Sequence, residues 1–207
     1  GDGVMQLPAV ERSGTMSVSE AISRRHSVRR FKDKALSLQH VGQVLWAAAG
    51  KSVDVTTGAT RTAPSAGGCY PQKLYLVAGK VEELQPGIYR YRWLSHALEK
   101  VGDGDVRQTL SQATAGLGQG AISSAPATIA FTAVYARSTR RYGKRGEQRY
   151  VPMDIGHAGE NVYLQATALG LGTVAIGAFE DKAVHDVLAC DRREEPLYLM
   201  PLGEPAE

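Results

Sequence analysis

Arg25-His26-Ser27-Val28-Arg29 packs two guanidiniums, a histidine and a hydroxyl into five residues directly behind a helix signal. Ser17-x-x-Glu20 is a capping-box pattern, Ala21 and Ile22 supply the apolar side of the helix it starts, and the basic run follows at or just past the helix end. A guanidinium grips a phosphate through paired charge-assisted hydrogen bonds of about 1.5–3 kcal/mol each, and a serine hydroxyl adds a further donor. The run therefore reads as a phosphate clamp. The other reading is a solvated basic face favoured by the helix dipole, so the clamp needs support from the rest of the chain.

Outward from this run, Ser37 caps a second helix in which Leu38, Val41, Leu45 and Ala48 recur at helical spacing, and Gly50 is placed to end it. Lys51 to Arg61 reads as a loop. Leu74 to Ala78 is a strand, Gly79-Lys80 a turn, and Gly87 to Trp93 with Ala97 to Val101 a hairpin. Asp103 or Asp105 begins a helix running to about Ala115. Ala127 to Val134 is an apolar strand long enough to be central, whereas Arg137 to Tyr150, charged and glycine-containing, reads as a mobile surface segment and a candidate lid. Asp154 to Leu169 is a helix apolar nearly all round, which predicts burial in the core or at a subunit contact. Thr173 to Ile176 and Leu197 to Leu202 read as strands, with a helix over Asp181 to Leu188 between them. Helices separating strands, with one local hairpin, predict an α+β sandwich.

The chain has 207 residues, 43% of them hydrophobic, enough for one substantial core, and no Pro/Ser/Gly-rich linker divides it; residues 1–207 are read as one domain with an extended N-terminal segment over 1–16. Its 24 basic and 21 acidic residues leave a formal charge of +3, too small to announce a nucleic acid or a membrane surface. Cys69 and Cys190 are too few for a disulfide scaffold and lack metal-ligand spacing, so no metal is expected and reduced cytoplasmic thiols are the default; Cys69 is read as a small loop residue. No apolar run is long enough to cross a bilayer, and Gly1-Asp2-Gly3 has no signal-peptide pattern and reads as an expression remnant.

Four segments in order carry a resemblance. Arg25-His26-Ser27-x-Arg29 with Phe31, then Thr62-Ala63-Pro64-Ser65-Ala66-Gly67-Gly68, then Asp154-Ile155-Gly156-His157-Ala158 through Leu169-Gly170-Leu171-Gly172, then Ala175-Ile176-Gly177-Ala178-Phe179 resemble the FMN-dependent nitroreductase superfamily from about Ser17 to Pro205. Leu36-Ser37-Leu38 through Leu45-Trp46-Ala47-Ala48-Ala49-Gly50, Pro86-Gly87-Ile88-Tyr89-Arg90-Tyr91, and Arg141-Tyr142-Gly143-Lys144-Arg145 make it most similar to the SagB-type, azoline-oxidase-like dehydrogenases. The resemblance implies a three-layer sandwich with a mostly antiparallel central sheet flanked by helices, in an intertwined homodimer with FMN at the interface.

It also assigns roles. Arg25, His26, Ser27 and Arg29 would hold the FMN phosphate and ribityl chain. Ile176, Gly177 and Ala178 would lie beside the ring, with the Gly177 and Ala178 amides aimed at its N5 edge, and Pro64, Ser65, Ala66 and Gly67 would reach the ring from the partner subunit. The chain ends soon after Gly203-Glu204-Pro205, where many relatives continue with further basic phosphate ligands, so Arg25, Ser27 and Arg29 are expected to hold the phosphate with other help. Arg141-Tyr142 stands where azoline oxidases of this kind carry Lys-Tyr; an arginine, with a pKa above about 12, is no base at neutral pH, which puts azoline oxidation in doubt while leaving Tyr142 as an acid or donor. Arg137, Arg140, Arg141, Lys144, Arg145 and Arg149 form a second basic cluster that could attract a carboxylate or an NAD(P)H phosphate. His157 is read as a satisfied core histidine.

The function expected is FMN-dependent hydride transfer through N5 between a donor such as NAD(P)H and a small organic acceptor. Oxidation of a peptide azoline and a flavin-binding protein without turnover are the alternatives. Nucleic-acid binding through the two arginine clusters is set aside for want of net charge and of any docking motif.

Overall fold

Strands that must bury both faces need apolar side chains in both phases of their alternation, and Leu74-Tyr75-Leu76-Val77-Ala78 and Ile129-Ala130-Phe131 supply them. In a computed structural model, which describes residues 3–52 and 60–206, these runs form the centre of a seven-stranded sheet. Its strands are β1 (Val4–Gln6), β2 (Gln72–Ala78), β3 (Gly87–Arg92), β4 (Ala97–Asp103), β5 (Ala127–Val134), β6 (Gly172–Thr173) and β7 (Glu194–Gly203). They lie in the order β1-β4-β3-β2-β5-β7-β6, and every neighbouring pair is antiparallel.

The register sends alternate residues to opposite layers. Leu74 pairs with Phe131 and Leu76 with Ile129, and these side chains meet Val41, Leu45, Ile155 and Val162 from α2 (Leu38–Ala49) and α6 (Val151–Ala168). Tyr75, Val77, Ala130 and Leu199 face the other way. They pack against Leu110 of α3 (Arg107–Ser111), Ala121 and Ile122 of α4 (Gly116–Ser124), and Val184 and Leu188 of α7 (Asp181–Leu188). The expected three-layer sandwich is what forms, each fully buried Leu or Phe contributing about 2 kcal/mol. Among the described residues no helix is long and apolar enough to cross a membrane.

The helix signals hold with changes of detail. Ser17 caps α1 (Val18–Arg24) by accepting from the Glu20 amide at 3.1 Å, but Glu20 pairs with Arg24 at 2.9 Å. Ala21 is buried, whereas Ile22 is 58% exposed and does not serve the apolar side. Ser37 caps α2 by accepting from the His40 amide at 3.1 Å. Gly50 ends α2 in extended rather than left-handed backbone; a Cβ there would come within 2.1 Å of the Trp46 ring, so the ring makes glycine necessary.

Four expectations are corrected. Arg137 to Tyr150 is not a loop: α5 (Ala136–Tyr142) breaks at Gly143, φ 56°, and a π-helical turn over Gly146–Tyr150 leads straight into α6. Buried Gly146 lies against Ser138, and the Tyr142 and Tyr150 rings meet edge-on at 4.9 Å, so this arm is held by small-residue and aromatic packing. The helix expected from Asp103 or Asp105 to Ala115 shrinks to α3, and α4, which was not expected, follows it. β7 starts at Glu194 because that buried carboxylate accepts from Lys73 at 2.8 Å, Tyr75 at 2.7 Å and Thr132 at 2.8 Å, tying three strands together. Thr173 to Ile176 is likewise shorter, with β6 ending at Thr173 and Ile176 only bridging Leu199. Of Lys51 to Arg61, residues 53–59 lie outside the described residues; Lys51 bridges Arg61 across them. In the N-terminal segment, β1 adds to the sheet edge, and Glu11 is held by Gln43 through hydrogen bonds of 3.0 and 2.8 Å.

Candidate functional site

The basic run is fastened like an extra edge of the sheet. Ser27 bridges Thr173, the Val28 amide donates to Thr173 O at 2.9 Å, Phe31 bridges Pro205, and the Ala206 amide donates to Arg30 O at 3.0 Å. Gly172 permits the approach, because a Cβ there would lie 2.6 Å from that of Val28. Ser27, Arg29, Arg30 and Phe31 line one side of a cleft of about 500 Å³ whose other side is α4, through Gly116, Leu117, Gly120 and Ser124. Neither Arg29 nor Arg30 makes an ion pair among the described residues. A Cβ added to Gly116 or Gly120 would meet nothing within 4 Å, so both glycines open onto free space.

Ser27 Oγ lies 3.0 Å from Tyr163 Oη, which accepts from the Ala175 amide at 2.8 Å. This chain lets Tyr163 donate to Ser27 and leaves the Ser27 hydroxyl proton for an anion in the cleft. Arg25 does not line this cleft. As the C-cap of α1 its guanidinium lies over the Tyr163 ring at 5.0 Å, with Nε 3.9 Å from Glu160. His26 is exposed, and its Nδ1 donates to Arg24 O at 3.1 Å. Ile176 is buried against Gly118 of α4, while Gly177 and Ala178 are exposed and their amides have no partner among the described residues.

The second group gathers at the start of α6. Ser65 donates to Asp154 Oδ2 at 2.6 Å and accepts from the Tyr70 amide at 2.9 Å, and the Ala66 amide donates to Asp154 Oδ1 at 3.4 Å. The Ser65 hydroxyl is thereby committed within the loop, and Pro64 and Gly67 are what it exposes. Gly67, φ 62°, lies under the predicted pair: its carbonyl accepts from Arg141 Nη1 at 3.2 Å, and a Cβ there would lie 2.3 Å from Tyr142 Oη. Burial raises the Asp154 carboxyl above its ordinary 3.8, against the Ser65 and Ala66 hydrogen bonds and the His157 charge. His157 itself is exposed, so the core-histidine reading is wrong: it occupies the outward face of α6, whose buried positions are Val151, Asp154, Ile155, Ala158, Gly159, Val162 and Ala166.

The two groups engage α6 at Asp154 and Tyr163, nine residues and roughly 13 Å apart along the axis. One end presents cations and a hydroxyl to an anion; the other sets a tyrosine and an arginine over a small-residue loop. Arg30, Tyr163, Asp154 and α4 were not picked out from the sequence. Gly116-Leu117-Gly118-Gln119-Gly120 was the available signal, since closely spaced glycines mark close approach to backbone.

A model of the nitroreductase family matches residues 22–204, and the chain belongs to that family of oxidoreductases, whose members generally bind flavin. A protein of Methanocaldococcus jannaschii that carries the nitroreductase name is 38% identical over 203 residues, covering 98% of this chain and 97% of its own length. A crystal structure from Ralstonia eutropha JMP134, described as a nitroreductase, superposes with a TM-score of 0.83 at 28% identity over 100% of this chain and 91% of the other. A chain of the Escherichia coli microcin synthetase McbBCD complex with truncated pro-MccB17 bound matches with a TM-score of 0.76 at 25% identity, covering 97% and 77%. The last match supports the SagB-type relationship.

Proposed function

We propose that this chain is an FMN-dependent oxidoreductase whose Ser27, Arg29 and Arg30 hold the phosphate of the flavin nucleotide. The observation that carries the reading is the cleft between these residues and α4: two guanidiniums without a carboxylate partner among the described residues face glycines that leave room for a ligand. Bound FMN would supply hydride transfer at N5, chemistry that no side chain here performs alone. The chain's part is to bind and orient. Arg29 and Arg30 neutralise the phosphate, Ser27 donates to it under the control of Tyr163, and Arg25 adds positive potential from its seat on Tyr163. The free amides of Gly177 and Ala178 are donors for the ring edge. Separation of the Pro64–Gly67 loop from the phosphate cleft along α6 favours a homodimer in which each copy's loop, carrying Arg141 and Tyr142, covers the partner's flavin. A small organic acceptor would then meet Tyr142 as hydrogen-bond donor.

The likeness to a component of a peptide-modifying complex favours a second reading, oxidation of a peptide azoline. Against it stands Arg141, a guanidinium that offers donors where a base is needed and spends one of them on the Gly67 carbonyl. Anaerobic mixing of the yellow protein with NADH or NADPH separates the two. Bleaching of the flavin is expected for the first reading. A flavin that stays oxidised would point to the peptide azoline, or, if no common donor reduces it, to a carrier without turnover.

A further inference from the structure

A cleft of about 400 Å³ opens between β2, β3 and α5, with Arg61, Arg92, Trp93, Leu94 and Arg137 in its walls. Most cations around it are already matched. Lys73 pairs with Glu194 at 2.8 Å, and Arg90 and Arg92 share Glu99 at 2.6 and 3.5 Å. Arg61 and Arg137 make no ion pair among the described residues.

The Arg61 guanidinium is held between two rings, 4.3 Å from the centroid of Trp93 and 5.0 Å from that of Tyr70. Stacking fixes its plane and leaves only its edges for hydrogen bonding. One edge donates weakly, Nη1 to Gln72 O at 3.4 Å; among the described residues Nε is buried without a partner, and so is Gln72 Oε1. Arg137 is anchored next to it by a 3.2 Å bond from Nη1 to Tyr70 O. Burial first, and the Arg137 charge second, push Arg61 down to about 10. Two neighbouring guanidiniums, one of them desolvated, repel each other until an anion lies between them.

We propose that this cleft is a second ligand site, separate from the flavin residues, in which Arg61 and Arg137 take the oxyanion of a carboxylate- or phosphate-bearing small molecule. The walls give the ligand its body: Trp93 and Leu94, the latter 62% exposed, offer apolar surface to whatever the oxyanion is attached to. The preorganised guanidinium supplies the orientation.

Tryptophan fluorescence reads the site, because Trp93 is in it and the chain's other tryptophan, Trp46, is not. The purified protein is titrated with sodium benzoate and, separately, with inorganic phosphate at constant ionic strength. A saturable change with at least one anion is expected, benzoate alone identifying a carboxylate ligand and phosphate alone a phosphoryl one. Arg61→Gln and Arg137→Gln should each weaken it by about tenfold, the loss of one charge-assisted contact. Arg29→Ala should leave it unchanged. If Arg61→Gln fails to fold, Arg137→Gln on the exposed face of α5 carries the test. No saturable response to either anion, a response that survives both glutamine variants, or one lost only in Arg29→Ala would overturn the proposal; the last of these would leave the flavin reading standing.

Discussion

Asp154 is the residue on which the loop over α6 depends, and it is buried as a carboxyl whose ionisation burial opposes. The folded chain therefore holds that proton more tightly than the unfolded chain, whose value is about 3.8. The sign follows: the group's contribution is whole below pH 3.8 and is lost as pH rises through the raised value, leaving a constant penalty at neutrality. Asp154→Asn removes that pH-dependent part and keeps an acceptor for Ser65. Thermal unfolding of both proteins from pH 3.5 to 7.5 should show the variant gaining on the native protein as pH rises, whatever the fixed offset from the altered Ala66 contact. A variant that loses ground with rising pH would refute this reading of Asp154. Ser65 and Gly67 were legible because a proline, a small polar residue and glycines in sequence announce a tight loop. Asp154 as their partner was not, since nothing local marks a contact across 89 positions.

At the scale of elements, α4 shows how stability and binding can pull apart. Its three glycines, Gly116, Gly118 and Gly120, make a poor helix; glycine costs about 1 kcal/mol against alanine in a helix interior. That is why the segment did not read as helical, and why the helix expected ahead of it was drawn too long. Gly116 and Gly120, the two glycines of α4 that face the cleft, have nothing within 4 Å of an added Cβ. Gly120→Leu should therefore raise the unfolding midpoint, by up to about 1 kcal/mol in stability, while reducing FMN affinity at least about tenfold by filling the cleft. Urea unfolding and a flavin titration on one preparation check both. A variant that binds FMN normally would show that the cleft is not the site. By contrast, α2 was read almost residue for residue, because Ser37 and the Leu38, Val41, Leu45, Ala48 spacing are local signals. The arm from Ala136 to Tyr150 was misread because Arg, Lys, Glu and Gln look solvated in any conformation, and only its contacts with Ser138, Gly146 and Tyr150 make it helical.

For the whole molecule, the succession of strands separated by helices, with one local hairpin, announced the sandwich, but not the strand order, which rests on pairings such as Leu74 with Phe131 that no local pattern encodes. The same limit applied to function. The Arg25–Arg29 run announced an anion clamp, yet which cations face the cleft depended on Tyr163 and α4: Arg30 joins Arg29 there, and Arg25 turns onto α6. The proposed function turns on this cleft holding the flavin's phosphate. Its most direct test is the affinity of the flavin-stripped protein for FMN against riboflavin, which differ only in that group, measured for the native chain and for Arg29→Ala by flavin fluorescence quenching. FMN is expected to bind at least about a hundredfold more tightly than riboflavin, and Arg29→Ala to remove most of the difference. Equal affinities for the two flavins, or a preference for FMN that Arg29→Ala leaves intact, would contradict it.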